Sequence, residues 1–254
     1  AWSDWRGGIG VNRMEGAGEV NRAWYSTCQL RYKNHLVLPG LATASAAPTH
    51  GLTDATIGAI NTYADEIYAA WNGSVSEDAK IYKYSNDANS WSEVDTTADQ
   101  VTDSVAFTDG SGNSYLVFAH YDSGGSNYTY YNGSSWATAS AAKATKFLTT
   151  WDERLWGISH AGKLWYATAI DTEVDDAQLP TPAGSVTALF VARNAIGVPI
   201  IYAATTQGLF AHNVANAMWE ATQMDFPVHP GNGKGTVRWR DSVYISSGNG
   251  IYKY

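Results

Sequence analysis

The sequence predicts an all-β chain: a β-propeller of six four-stranded blades, five clear and one degenerate. Three observations predict it: a strand-forming composition, an apolar run that recurs along nearly the whole chain, and a fixed grammar of turns and strands around each run. Charged residues are only 16% of the 254 residues, against about 25% in an ordinary domain. Aromatics are 13%, with 11 Trp and 16 Tyr. Such a composition, rich in Thr, Ser and Gly besides, suits a pleated and half-buried surface. The Glu, Lys, Leu and Ala runs of long helices are few.

Six runs carry the repeat: His35–Leu38, Glu66–Ala70, Tyr115–Ala119, Arg154–Ile158, Ile200–Ala204 and Ser242–Ser246. Their starts are 31, 49, 39, 46 and 42 residues apart, near the roughly 40–50 residue period of propeller blades. A short strand and a tight polar turn precede the runs, as at Asn61–Ala64, Phe147–Trp151 and Val237–Trp239. After each of the last five comes a turn and another strand: Ala79–Tyr84, Asn127–Tyr131, Gly162–Tyr166, Gly208–Ala211 and Gly250–Tyr254. Three of these lead through an Asn-rich turn to a Trp strand, at Trp91, Trp136 and Trp219. Asn-Gly, as at Asn132-Gly133, is favoured hairpin chemistry because both positions tolerate positive φ.

The unit therefore reads as four strands joined by hairpins. One such sheet cannot bury both faces, and stacking several around an axis does. A β-sandwich would not need the same grammar to recur. The first repeat, around Cys28 to Leu41, is degenerate, with no obvious third strand in Leu41–Thr53. The last ends after its third strand, so the N-terminal stretch Gly7–Glu19 is expected to complete that blade, making residues 1–254 one domain. The chain opens on Ala1-Trp2-Ser3-Asp4-Trp5 and not on Met, as expected of a processed chain or part of a longer product.

Charge narrows the function. The formal net charge is −8, and no Lys/Arg cluster exists to displace counterions from a phosphate backbone. Nucleic acid is not an expected partner, nor is an anionic membrane surface. No apolar run approaches the roughly 20 residues of a membrane span. The single cysteine, Cys28, permits neither an internal disulfide nor a zinc cage and reads as a small strand residue.

Motifs for chemistry are sparse. There is no nucleophile elbow, HExxH or Walker loop. Gly231-Asn232-Gly233-Lys234-Gly235-Thr236 lacks phosphate-loop spacing and runs into a strand, so it reads as a turn. Asp109–Asn113 resembles the start of a calcium loop but has one carboxylate and no closing Glu, and a hairpin turn explains it better than a structural calcium ion. Ser85–Trp91 approaches the Asp-box turn of sialidase-type propellers, one residue short. The six histidines are scattered, with no metal-ligand spacing. Paired carboxylates Asp152-Glu153 and Asp175-Asp176 read as solvated turn charge. No catalytic residue, metal ligand or cofactor is expected.

Aromatics are the functional lead, because Trp and Tyr faces stack on sugar C–H groups and anchor interfaces. The candidate ligand-binding residues are Trp71, Tyr121, Trp91, Trp136 and Trp219. Trp71 and Tyr121 follow second-strand runs at equivalent places and lead the set. Packing between blades is the competing role, and the stronger one for Trp91 and Trp136.

Asp4-Trp5-Arg6-Gly7-Gly8-Ile9-Gly10 and Tyr25-Ser26-Thr27-Cys28 to Arg31 resemble the opening of propeller-like proteins among the structural genes of tailed phages. Gln207–Phe210, His229–Gly235, Trp239–Ile245 and Asn249–Tyr254 resemble the closing blades of that group. The resemblance implies a non-enzymatic structural or adhesion protein of a tail or fibre. It would sit in a virion or outside the cell, with virion or cell-surface proteins, and also glycans, as partners. Two alternatives stand beside it: a lectin-like propeller with sugar sites between blades, and a glycoside hydrolase or lyase with an axial pair of carboxylates.

Overall fold

A computed structural model describes residues 9–10, 23–24, 30–32, 35–37, 48–74, 77–85, 88, 90–97, 99–121, 128–140, 143–181, 183–194, 196–222, 227–239, 242–248 and 250–253. The chain forms two compact units, residues 1–46 and 47–254. In the first, β1 (Ile9–Gly10) pairs in parallel with β2 (Ala23–Trp24), and β3 (Leu30–Tyr32) pairs antiparallel with β4 (His35–Val37). The expected closure of the last blade by Gly7–Glu19 falls outside the described residues, save for Ile9 and Gly10, which pair with β2.

The second unit is a series of antiparallel meanders, each built in chain order. The first sheet is β5 (Thr56–Tyr63), β6 (Glu66–Asn72), β7 (Ala79–Ser85) and β8 (Ser90–Thr97). The second is β9 (Gln100–Thr108), β10 (Ser114–Tyr121), β11 (Tyr128–Tyr131) and β12 (Trp136–Thr138). The third is β13 (Phe147–Trp151), β14 (Arg154–Ile158), β15 (Lys163–Ala167) and β16 (Val174–Gln178). The fourth is β17 (Val186–Arg193), β18 (Pro199–Thr205), β19 (Gly208–Asn213) and β20 (Met218–Ala221). A three-stranded sheet follows: β21 (Val237–Trp239), β22 (Ser242–Ser247) and β23 (Gly250–Lys253).

The six apolar runs are all second strands of their hairpins: β4, β6, β10, β14, β18 and β22. Their continuous apolar character has a physical cause. β6, β14 and β18 are buried along nearly their whole length, on both faces, and a strand buried on both faces reads as a run and not as an alternation. The fourth strands β8 and β16 are largely exposed and polar, which guards an outer edge against pairing with another chain; β20 is exposed except at the buried Trp219.

First strands of successive sheets lie side by side: β5 against β9, β9 against β13, and β13 against β17. Each gap between sheets holds its own core. Tyr68 and Ile81 meet Leu116 and Phe118 in the first gap. Val117 and Tyr128 meet Leu155 and Trp165 in the second. Trp156 and Leu164 meet Leu189, Ile201 and Trp219 in the third. Tyr202 and Leu209 meet Val243 and Ile245 in the fourth. The arrangement is a propeller-like stack in which each sheet is buried by its neighbours.

The turns follow their chemistry. Ala64-Asp65 and Asp152-Glu153 are two-residue hairpin turns with both φ angles positive, between 50° and 62°. Asn132–Ser135 is a four-residue turn and not a two-residue Asn-Gly turn, because the Asn132 Oδ1 accepts from the Ser134 and Ser135 N–H groups and props the loop open. Asp109 makes the hairpin turn its sequence predicts: its carboxylate accepts from the N–H groups of Ser111 and Asn113 and from the Asn113 carboxamide, all at 2.9 Å. The Asn86, Asp87 and Asn89 part of the Asp-box-like turn lies outside the described residues.

One turn expectation is corrected. Asp175-Asp176 is not turn charge: it lies within β16. Asp175 pairs with Lys143 at 3.0 Å, while Asp176 faces the fourth sheet and meets the buried His212 Nε2 at 3.2 Å. Adjacent residues of a strand point to opposite faces, so one aspartate is solvated and its neighbour is not.

Candidate functional site

The first strands converge on an axial cavity of about 640 Å3. Its wall is partly apolar, from Ile57, Phe147, Leu189 and Phe190, and partly polar, from Thr102, Asp103, Thr187, Lys234 and Thr236. Each side chain comes from the first strand of a sheet or from the loop entering β21, so the stacking itself brings them together.

Asp103 is the carboxylate of this wall. It accepts from the Ser104 N–H at 2.8 Å and, across the gap to the third sheet, from the Leu148 N–H at 2.9 Å. Burial raises its pKa to about 6, against those two hydrogen bonds, which lower it. Next to it, Thr102 Oγ1 donates to the Lys146 carbonyl at 2.6 Å, and Lys146 Nζ donates to the Val186 carbonyl at 2.7 Å, linking three sheets. Burial lowers the Lys146 pKa, and the charge of Lys234 lowers it further. The Thr187 hydroxyl is buried and has no hydrogen-bond partner among the described residues. A wall with one carboxylate, the Lys234 amine and hydroxyls can orient a small polar ligand. Glycoside hydrolysis uses a second carboxylate roughly 5–10 Å away, and Asp103 is the one carboxylate among the described residues of this wall.

The Gly231–Thr236 loop enters the cavity as a turn. Gly233 has φ +75°, and a Cβ there would sit 2.3 Å from the Ala204 Cβ. Asn232 is fully buried, and its carboxamide donates to the Pro227 carbonyl at 2.7 Å.

The sequence-predicted aromatics are dispersed and do not form one site. Trp71 is 8% exposed and packs edge-on to Tyr82 and Trp91, with ring centroids 5.4 and 5.2 Å away. Trp91 is half-buried against Trp71 and Tyr84. Trp136 is half-buried and stacks on Tyr131 at 5.0 Å, beside Tyr68 and Phe118. Trp219 is 6% exposed and, with Trp156, encloses the His212 ring. All four rings pack against other aromatic rings. Tyr121 ends β10, and its side chain lies outside the described residues.

Two further clefts open at the hairpin ends. One of about 540 Å3 is lined by Tyr63, Tyr115, Tyr130, Asn113, Asn132 and Asp171, among others. The other, about 430 Å3, lies between Trp151 and the hairpins of the fourth sheet. Sequence reasoning did not single out Asp103, Thr187 or the three tyrosines. First-strand position was the available signal for the axial residues, since β5, β9, β13 and β17 all line the cavity. For the tyrosines there was none, because Tyr63 comes from the first sheet and Tyr115 and Tyr130 from two strands of the second. Among the described residues, no three His, Cys, Asp or Glu side chains gather as metal ligands do.

No protein-family model matches the chain, and no curated protein matches it. Solved structures do resemble it. The computationally designed Ika8 protein matches with a TM-score of 0.51 at 12% identity, over 78% of this chain and 57% of that one. BBS1N, solved in complex with ARL6DN, matches with a TM-score of 0.51 at 9% identity, over 82% of this chain and 65% of that one. The chain thus spans less than two thirds of either. At such identities the likeness concerns the fold, and the fold it supports is all-β and propeller-like, made of four-stranded antiparallel sheets.

Proposed function

We propose that this chain is a six-bladed, non-enzymatic binding propeller that serves as a structural or adhesion part of a larger particle, such as a phage tail or fibre. In this reading β3 and β4 are what remains of the degenerate blade. The observation that carries the binding role is an exposed apolar rim on the fourth sheet. Ile196, Val198, Val214 and Met218 are 83, 46, 48 and 59% exposed. They sit on the β17–β18 and β19–β20 hairpins, which antiparallel pairing places at the same end of the sheet.

These residues are displayed on rigid turns. Asn194 closes the first hairpin: its backbone pairs with Val198 and Gly197, and its Oδ1 accepts from the N–H groups of Ile196 and Val198. Asn213 organises the second, with its Oδ1 accepting from the Ala215 N–H and its Nδ2 donating to Glu220. Clustered apolar side chains on a rigid polar-backed rim mark a surface for a protein partner. Immunogold labelling of intact particles with an antibody to this chain tests the role. Labelling of a tail or fibre is expected; unlabelled particles overturn the reading. An Ile196→Asp/Val214→Asp variant should melt like the wild type and fail to incorporate.

A further inference from the structure

We infer that the tyrosine-lined cleft between the first three sheets is a carbohydrate-binding site selective for neutral sugars. The inference rests on the binding reading above and gives it a ligand class. Three half-exposed tyrosines converge there from different elements: Tyr63 from the end of β5, Tyr115 from β10 and Tyr130 from β11.

Their rings are held in place before any ligand arrives. The Tyr63 hydroxyl donates to the Ser114 carbonyl at 2.9 Å, and its ring abuts Tyr131 at 5.9 Å. Tyr115 is stacked on the buried Phe107 at 6.2 Å and meets Tyr130 edge-on at 5.8 Å. A fixed tyrosine offers a C–H-stacking face and a polar tip at little entropic cost. Around the rings stand the groups a sugar hydroxyl needs, a carboxylate and carboxamides: Asp171, Asn113 and Asn132. Asp171 is held at φ +64°, its Oδ1 accepting from the Ser140 N–H. The cleft volume of about 540 Å3 lies in the usual range for small-ligand pockets, about 300–1,000 Å3.

Charge sets the selectivity. Asp171 is the charged side chain among the described residues of the cleft, and the chain carries a net −8. Sialic and uronic acids would meet like charge, which costs affinity; neutral hexoses and N-acetylhexosamines would not.

The test is a glycan array probed with the full chain, carrying neutral oligosaccharides beside sialylated and uronic ones, followed by titration calorimetry on the best binder. Binding to neutral glycans is expected, with loss of at least tenfold in affinity in Tyr115→Ala. Because Tyr115 supports Phe107, a second variant separates binding from folding. Ser134→Trp places a bulky ring in the cleft from an exposed turn and should abolish binding with an unchanged melting curve. Asp171→Asn should narrow the gap between neutral and acidic sugars. No glycan bound, binding that survives Ser134→Trp, or a preference for acidic sugars in the wild type would each overturn the inference. A blank array with labelled particles removes the sugar site and leaves the structural role standing; unlabelled particles with a positive array do the reverse.

Discussion

Asp103 and His120 are both held away from their ordinary protonation behaviour by burial, and in opposite senses. Asp103 has a folded pKa of about 6 against an ordinary 3.8, so its contribution favours the folded state fully below about 4 and is lost as pH rises through 6. His120 is depressed to about 4 from 6.5 by burial, against the pull of Asp99, so its contribution is present above 6.5 and lost as pH falls through 4. Between those values the two offset one another. Denaturant midpoints measured across that window should therefore differ between variants. Relative to the wild type, Asp103→Asn should lose stability on acidification, by up to about 3 kcal/mol, and His120→Leu should gain it. Parallel profiles in both variants would refute this pairing. Gly233 is a second residue-scale constraint. Gly233→Ala adds a Cβ 2.3 Å from Ala204 at a positive φ; a cost of about 2–4 kcal/mol in chemical unfolding is expected.

At the scale of an element, the hairpin is the unit, and its turn decides its stability. Asp152-Glu153 joins β13 to β14 with φ angles of 53° and 55°. Side chains other than Gly and Asn are strained in that region, by roughly 1–2 kcal/mol per residue. Both residues are exposed, so Glu153→Gly relieves strain without touching the core. A stabilisation on the order of 1 kcal/mol is expected from thermal melts; a lower melting temperature would contradict the assignment. The strand order around these turns was legible in the sequence because β6, β14 and β18 announce themselves as apolar runs bounded by turn residues. β16 was not legible. Val174–Gln178 carries two aspartates, and a polar outer strand has no periodic apolar signal to distinguish it from a loop.

At the scale of the whole second unit, each sheet is held by its neighbours, and polar ties supplement the apolar layers. The Asn72 carboxamide makes both bonds to Val101, donating to its carbonyl at 2.7 Å and accepting from its N–H at 2.8 Å. It thereby joins β6 to the first strand of the next sheet as a backbone segment would. Asn72→Ala leaves two buried backbone groups unpaired, each costing about 1–3 kcal/mol. The melting temperature should fall by several degrees; an unchanged melt would show that the sheets do not depend on this tie.

The sequence by itself determined the all-β class, the repeating unit, the second strand of each sheet from β3–β4 onward and the turns at Asp109 and Asp152, because these depend on residues near one another in the chain. It also marked the tryptophans, though not what they touch. Tertiary structure alone decided that Trp71 and Trp219 lie in packed layers, that Asp176 turns inward to His212, and that Asp103 and Thr187 share a cavity with Lys234. It also decided that Tyr63, Tyr115 and Tyr130 meet in one cleft. The reason is physical: period and turn chemistry fix a strand, but the neighbours of a side chain across a stack of sheets are set by residues of other strands and other sheets, through contacts that leave no periodic trace.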